Sequence, residues 1–249
     1  LKQSGKTAQA WGLPVVAETW DGWLNDINGF HVKPEHVWAA LNSAQSGAVT
    51  EGAVGGGTGM VCFEFKGGIG TSSRVVSLPS GKYTVGVLVQ ANYGRRGDLR
   101  IAGVPVGKEI ADLMPVFPQL QEKRRDGSLI VVVGTDAPLL PHQMARLVRR
   151  VSVGLGRLGA VSYNSSGDIF IGFGMPEPEP TATGIQTWTA ISNEGIDKLL
   201  QATVHATEES IVNALIAAET MVGASGATVY ALPHDRLREV LRKYGRLVQ

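Results

Sequence analysis

The residue best suited to covalent chemistry is Ser128, which stands between Gly127 and the apolar run at residues 129–133. A serine hydroxyl becomes an effective nucleophile only when a nearby base accepts its proton. A triad of Ser128 with His142 and Asp136 could supply that base, but no G-x-S-x-G turn surrounds the serine. The hydroxyl could also simply satisfy a backbone group at the start of a buried strand. The residue types alone leave these alternatives open.

A third alternative uses the α-amino group of Ser128 itself as the base. An α-amine has a pKa of about 7.7–8.0, so a fraction is unprotonated at neutral pH and lies within reach of the hydroxyl of the same residue. This chemistry requires cleavage of the chain before Ser128. Gly127 suits such a cleavage because its carbonyl is unhindered, and a junction between loop and strand can hold the bond rigidly.

Composition and residue spacing argue against several other kinds of function. The 23 Lys and Arg residues nearly balance the 22 Asp and Glu residues, and the net charge of +1 gives no electrostatic reason for binding nucleic acid or an anionic membrane. Cys62 is the single cysteine, and the five histidines show no spacing typical of metal ligands. The glycine-rich segments match no nucleotide-binding motif. We therefore expect neither a metal nor an organic cofactor.

The hydropathy pattern predicts no membrane span. No apolar stretch approaches the roughly 18 residues that a span needs, and the polar start at residues 1–4 is unlike a signal peptide. These features favour a cytoplasmic location, with a periplasmic location as the alternative.

The elements that must position the serine are strands mixed with helices. We predict strands at residues 60–65 and 83–91, the second nearly apolar throughout and therefore covered on both faces. Apolar residues at helical spacing predict helices at 194–200 and 208–222, and the proline-rich run 175–180 predicts a stiff connector. Strands and helices without strict alternation indicate an α/β or α+β layered sandwich.

Six segments carry a family resemblance: ETWDGWLNDINGFHV (18–32), EGAVGGGTGMVCFEFKGGIGTSSRVV (51–76), YTVGVLVQANYGRRGDLRIAGVPVG (83–107), DGSLIVVVGTDAPLLPHQ (126–143), NSSGDIFIGF (164–173) and NALIAAETMVGASGATVYALPHDRL (213–237). In this order they resemble the self-cleaving serine aminopeptidases. This is the L-aminopeptidase/D-amidase-esterase family, which includes the β-peptidyl aminopeptidases. The resemblance extends over almost the whole chain.

The resemblance implies a fold and a domain organisation. The expected fold class is α/β of the α+β kind, a four-layer αββα sandwich similar to the N-terminal-nucleophile hydrolases. Residues 1–249 would form a single domain that cleaves itself between Gly127 and Ser128, leaving residues 1–127 from the α chain and residues 128–249 as the β chain. Family members begin earlier, so we expect the first segment of the α chain to be missing here. Relatives also suggest a homo-oligomer, a tetramer of αβ units.

The resemblance also implies roles for individual residues. Ser128 would be the nucleophile, and Asn92 would donate a hydrogen bond to the tetrahedral oxyanion. Ser166 and Asp168 would orient the hydroxyl and the amine of the nucleophile. Glu18 would bind the free ammonium group of the substrate through a charge-assisted bond, so that an amino-terminal residue is removed. Without the family, the asparagine and the Ser-Gly-Asp segment would be interpreted as turn residues.

The predicted function is a self-processing serine hydrolase that releases aminoacyl groups from small peptides, amides or esters with a free amine, through an acyl-enzyme on Ser128. One alternative uses the same machinery for acyl transfer, as in the ornithine acetyltransferases. A second alternative is an inactive, unprocessed homologue that acts as a binding protein. The preference for L-, D- or β-aminoacyl substrates depends on pocket shape, which the sequence does not reveal.

Overall fold

The structure, a computed structural model, describes residues 14–118, 127–174, 185, 187–224 and 226–247. The predicted connector at 175–180 lies outside these ranges. Helices are numbered along the chain as α1 (Pro34–Asn42), α2 (Val106–Glu109), α3 (Pro141–Arg149), α4 (Val151–Arg157), α5 (Asp197–Ile216) and α6 (His234–Lys243). Strands are numbered as β1 (Val61–Cys62), β2 (Phe65–Lys66), β3 (Gly68–Leu78), β4 (Gly81–Asn92), β5 (Ser128–Thr135), β6 (Ile169–Gly174), β7 (Met221–Val222) and β8 (Thr228–Val229).

A four-stranded mixed sheet with the strand order β3-β4-β5-β6 positions the serine. The first two pairings are antiparallel, and β5 pairs with β6 in parallel. Ser128 is the first residue of β5 and pairs with Asn92, the last residue of β4. The register therefore brings the nucleophile predicted from the sequence beside the predicted oxyanion donor. Two smaller antiparallel sheets, β1-β2 and β7-β8, accompany the central one.

Helices α3, α4 and α5 form a layer on one face of the central sheet, with α5 packed along β3 and β4. The close approach of α5 requires glycine at Gly70, where an added Cβ would lie 1.9 Å from the carbonyl oxygen of Ser210. On the other face, Leu88 and Val132 are partly exposed and line an open hollow of about 540 Å³. Mixed strands and a separate helical layer make this an α+β fold.

The strand predicted at 83–91 is confirmed as β4, but the prediction that both of its faces are covered is wrong for the described residues. Val85, Val87 and Val89 are buried against the helical layer, whereas Leu88 on the alternate face is only partly buried. β4 pairs antiparallel with β3 and β5, and among the described residues the helical layer covers only one face of these strands, so Leu88 on the other face lines the hollow.

The single strand predicted at 60–65 is wrong. The chain instead forms the β1-β2 hairpin, because Phe63 and Glu64 between the two strands have φ angles of 47° and 59°. Contacts from elsewhere hold this left-handed turn. The Phe63 N–H donates to the Tyr93 carbonyl at 2.6 Å, and the Glu64 carboxylate accepts from the Arg96 N–H at 2.8 Å.

The two helices predicted at 194–200 and 208–222 are one helix, α5, which begins at Asp197 and ends at Ile216; the last two residues of the second predicted helix form β7 instead. Two threonines between the predicted helices are buried, and they satisfy their hydroxyls within the helix. Thr203 and Thr207 donate to the carbonyl oxygens four residues earlier, at 2.9 and 2.8 Å. Across the described ranges, none of the helices combines the length and the hydropathy of a membrane-spanning segment.

Candidate active site

Ser128 is held at the end of the central sheet by two neighbouring chain segments. Its backbone begins β5, where the apolar residues that follow it are buried. Its Oγ accepts a hydrogen bond of 2.9 Å from the N–H of Gly167. Gly167 lies in the loop just before β6, and the parallel pairing of β6 with β5 carries this loop to the serine. The hydroxyl oxygen is therefore fixed by main-chain geometry.

The carbonyl group that precedes the nucleophile is also held. The Oγ of Ser166 lies 2.7 Å from the carbonyl oxygen of Gly127 and 2.6 Å from Oδ1 of Asp168. A hydroxyl has one proton, so Ser166 can donate to only one of these two oxygens at a time. Either the Gly127 carbonyl or the Asp168 carboxylate therefore accepts from Ser166 at a given moment.

Asp168 is oriented by two serine hydroxyls. Besides the contact with Ser166, its Oδ2 accepts a hydrogen bond of 3.1 Å from Ser162. Ser162 has a φ of 51°, in the left-handed region that residues other than glycine seldom occupy. The sequence analysis did not identify Ser162. A serine six residues before an aspartate is no recognisable motif, so only the folded loop reveals the contact.

The backbone at Gly127 passes too close to β4 for any larger residue. An added Cβ would lie 1.8 Å from the carbonyl oxygen of Asn92 and 3.4 Å from its Nδ2. Glycine is therefore required here by close approach. The sequence analysis gave a chemical reason for this glycine, an unhindered carbonyl, and the structure adds a packing reason.

Asn92 is buried, with 3% of its surface exposed, and its amide is held at both ends. Its Oδ1 accepts from the N–H of Val61 at 2.9 Å, and its Nδ2 donates to the carbonyl oxygen of Trp20 at 2.8 Å. An asparagine amide carries two N–H donors. The second donor forms no hydrogen bond with a residue in the described part of the chain, and the predicted role of Asn92 toward an oxyanion stays a prediction.

Glu18 lies in a segment that the structure brings against β4. The next residue, Thr19, is buried and its Oγ1 accepts from Gln90 at 2.7 Å, while the Trp20 carbonyl holds Asn92. Glu18 itself is exposed and forms no hydrogen bond with a described residue. Its predicted contact with the substrate ammonium stays a prediction.

The four predicted catalytic residues thus converge at one end of the central sheet. Asn92 comes from β4, Ser128 from β5, and Ser166 and Asp168 from the loop before β6. Within the described ranges, no group of three or more His, Cys, Asp or Glu side chains could hold a metal ion. The arrangement offers a nucleophile, hydroxyl and amide donors, and one carboxylate, which is a set suited to acyl chemistry.

Tyr93 is a further buried group at this end of the sheet. Burial raises the pKa of its phenol well above the usual value, and the nearby charges of Cys62 and Asp168 act in the same direction. Its hydroxyl has no hydrogen-bond partner among the described residues. Burial therefore favours the neutral, protonated phenol.

Comparison with known proteins identifies the family. The model of peptidase family S58 matches residues 1–229, and the chain belongs to this family. The β-peptidyl aminopeptidase BapA of Sphingosinicella microcystinivorans is 50% identical, over 96% of this chain and 63% of that protein. The protein of the same name from Sphingosinicella xenopeptidilytica is 48% identical, over 92% of this chain and 60% of that protein. The chain spans about three fifths of the length of these curated relatives.

Solved structures give the same result. A β-aminopeptidase from a Burkholderia species superposes with a TM-score of 0.85 at 45% identity, covering 98% of this chain and 68% of that one. The L-aminopeptidase D-Ala-esterase/amidase of Ochrobactrum anthropi gives 0.86 at 46% identity, covering 99% and 67%. Its structure is described as a prototype for the serine aminopeptidases and a new variant among the Ntn hydrolase fold. The predicted family and fold class are confirmed. Neither acyl transfer nor an inactive binding protein gains support from these matches.

Proposed function

We propose that this chain is a self-processing serine aminopeptidase that cleaves its own Gly127–Ser128 bond and then releases amino-terminal residues from small substrates. One observation carries the proposal. The Ser166 hydroxyl lies 2.7 Å from the carbonyl oxygen of Gly127, directly before the held hydroxyl of Ser128. A hydrogen-bond donor aimed at a peptide carbonyl beside a serine Oγ is an arrangement for attack on that carbonyl.

In the self-cleavage step, Oγ of Ser128 attacks the carbonyl carbon of Gly127. The hydroxyl proton passes to the amide nitrogen, the C–N bond breaks, and the chain is joined by an ester between Gly127 and Ser128. Ser166 turns its single proton from Asp168 to the carbonyl oxygen while that oxygen carries negative charge. Water then hydrolyses the ester, which gives the carboxylate of Gly127 and the free amine of Ser128.

In the aminopeptidase step, the new α-amine of Ser128 accepts the proton of its own hydroxyl. Oγ attacks the substrate carbonyl, and the unused N–H of Asn92 donates to the oxyanion. The amine or alcohol part of the substrate leaves with the proton, and water releases the acyl group from the serine. Glu18 binds the substrate ammonium, which limits the enzyme to the first residue of a chain.

The substrates are small peptides, amides or esters with a free amine. Relatives named as β-peptidyl aminopeptidases and as an L-aminopeptidase D-Ala-esterase/amidase support this class. We further propose that the processed chains form a homo-oligomer, a tetramer of αβ units.

The test is the intact mass of the purified full chain under denaturing conditions, beside three variants. The parent is expected to give two fragments that end at Gly127 and begin at Ser128, and Ser128→Ala a single chain. Ser166→Ala is expected to cut about 10²–10³-fold more slowly, because one oxyanion donor is lost. Ser80→Ala, an exposed loop serine, is the matched control and should cut like the parent.

The processed parent is then assayed on L-, D- and β-aminoacyl p-nitroanilides. Turnover that is absent in Ser128→Ala supports the proposal. A parent that stays uncut, or that is cut but turns over no substrate with a free amine, refutes it.

A further inference from the structure

Lys66 is a charged side chain inside the protein. It is fully buried in β2, next to the glycine-rich loop before β1. Its Nζ donates to three carbonyl oxygens, those of Gly57 at 3.2 Å, Met60 at 3.0 Å and Gly67 at 2.7 Å. It forms no ion pair with any described residue. Burying an ammonium group is costly unless its donors are satisfied, and here main-chain carbonyls satisfy all three.

One of these carbonyls belongs to the peptide unit that holds Asn92. The Met60 carbonyl oxygen accepts from Lys66, and also from the Gly67 N–H at 2.9 Å. The N–H of the same peptide unit, at Val61, donates to Oδ1 of Asn92 at 2.9 Å. The ammonium, the 60–61 peptide and the asparagine amide therefore form a series of hydrogen bonds. The ammonium only donates, and the peptide and the amide each accept at one end and donate at the other.

Hydrogen bonds in series strengthen one another, because a group that accepts a bond becomes a better donor at its other end. A cation at the start of the series gives the largest polarisation, since bonds that involve an ionised group are the strongest. The groups are buried, so water does not screen the effect. The end of this series is the Nδ2 group of Asn92, whose second N–H is not engaged by the described residues.

We propose that Lys66 is a positioning residue of the active site, which fixes and polarises the Asn92 amide through the Met60–Val61 peptide. The inference rests on the proposed function, in which Asn92 donates to the oxyanion. Lys66 does not touch the substrate. It aims the amide by fixing the loop, and it increases the positive charge on the donor N–H.

The protonation state of Lys66 agrees with this role. Burial lowers its pKa to about 8, while the charge of nearby Cys62 acts in the opposite direction. At neutral pH most of the side chain is still an ammonium group, so the charge is present when the enzyme is active.

The first test is a double-mutant cycle with Lys66→Met and Asn92→Ala. Turnover is measured on an aminoacyl p-nitroanilide and expressed per chain with a free Ser128, counted by mass spectrometry. We expect Lys66→Met to lower kcat about three- to tenfold and to leave KM within about twofold, because cooperative strengthening is a fraction of the whole donor effect. In the Asn92→Ala background the same change should lower kcat by less than about twofold. An equal loss in both backgrounds would mean that Lys66 does not act through Asn92.

The second test needs no activity. With ¹⁵N-labelled valine and asparagine, the Val61 amide proton and the Asn92 side-chain amide protons are expected to move upfield together in Lys66→Met. Lys82→Met, which removes an exposed lysine at the start of β4, is the matched control and should move neither. Unmoved Asn92 resonances would overturn the proposal.

Lys66→Gln covers the case in which Lys66→Met does not fold, because it removes the charge but keeps an amide donor for the carbonyls. We expect Lys66→Gln to give the same resonance shifts as Lys66→Met and the same difference in kcat loss between the parent and Asn92→Ala backgrounds. Its loss of stability should be smaller. If the parent proves uncut or inactive, the proposed function fails, and the resonance shifts still decide whether Lys66 polarises Asn92.

Discussion

Replacement of Gly127 by alanine tests the close contact between the backbone at Gly127 and the carbonyl oxygen of Asn92. The added Cβ would lie 1.8 Å from the Asn92 carbonyl oxygen, whereas ordinary contact begins near 3.4 Å, so one of the two segments must move by about 1.6 Å. A misplacement of about 1 Å at a reacting group can cost 10² in rate. We therefore expect Gly127→Ala to cut itself at least about 10²-fold more slowly than the parent. The same clash should reduce the free energy of unfolding by about 1–3 kcal/mol.

The assay follows the intact mass over time after synthesis in a cell-free system, with samples quenched in acid. Gly97→Ala is the control, since a Cβ there meets no atom within 4 Å. It should be processed at the parent rate. If Gly127→Ala folds and is processed within about twofold of the parent rate, the close contact with Asn92 does not hold the scissile bond, and the reasoning is refuted.

Three further outcomes are expected. Asp168→Asn should slow self-cleavage about 10- to 100-fold in the same mass assay, because an amide has one acceptor oxygen and cannot accept from both Ser166 and Ser162, so the loop that positions Ser166 loosens; processing at the parent rate would exclude this role. Burial lowers the pKa of Lys66 from 10.5 to about 8, so between these values the unfolded chain binds a proton that the folded chain has lost, and stability rises with pH. Between pH 7.5 and pH 10, the free energy of unfolding from denaturant titrations should rise by up to about 3 kcal/mol more in the parent than in Lys66→Met. An equal change in the two proteins would contradict the lowered pKa of Lys66. Gly70→Ala should reduce the free energy of unfolding by about 1–3 kcal/mol, since its Cβ would lie 1.9 Å from the Ser210 carbonyl oxygen, and an unchanged denaturation midpoint would count against this packing.

Local sequence patterns predicted the two strands that carry Asn92 and Ser128. The apolar run after Ser128 and the one at 83–91 are strands because their residues suit a buried sheet, and both strands are present as β5 and β4. The position of the serine at the beginning of its strand followed from the same run. The pairing of Ser128 with Asn92 could not be read from spacing alone, because it depends on the register between strands that are 36 positions apart at this end.

Other features depend on tertiary contacts that oppose local preference. A lysine is usually exposed, so Lys66 gave no sign of a buried role, and only the three converging carbonyls explain it. Phe63 and Glu64 adopt a left-handed turn that bulky side chains disfavour, because Tyr93 and Arg96 hold it. Such positions are where reasoning from one sequence fails, and here they surround the oxyanion donor.

The strand order of the central sheet means that the peptide bond before Ser128 connects the two halves of the sheet while the chain folds. β3 and β4 lie upstream of this bond and β5 and β6 downstream, and eight residue pairs join β4 to β5 across it. The uncut chain is therefore an intramolecular tether, which presents the two halves of the sheet to each other at an effective concentration of the order of millimolar. In the proposed self-cleavage the tether would be removed only after the strands have paired, since that cut needs the paired geometry. Under that proposal, the two halves would always be present in equal numbers, and each pair would come from the same molecule.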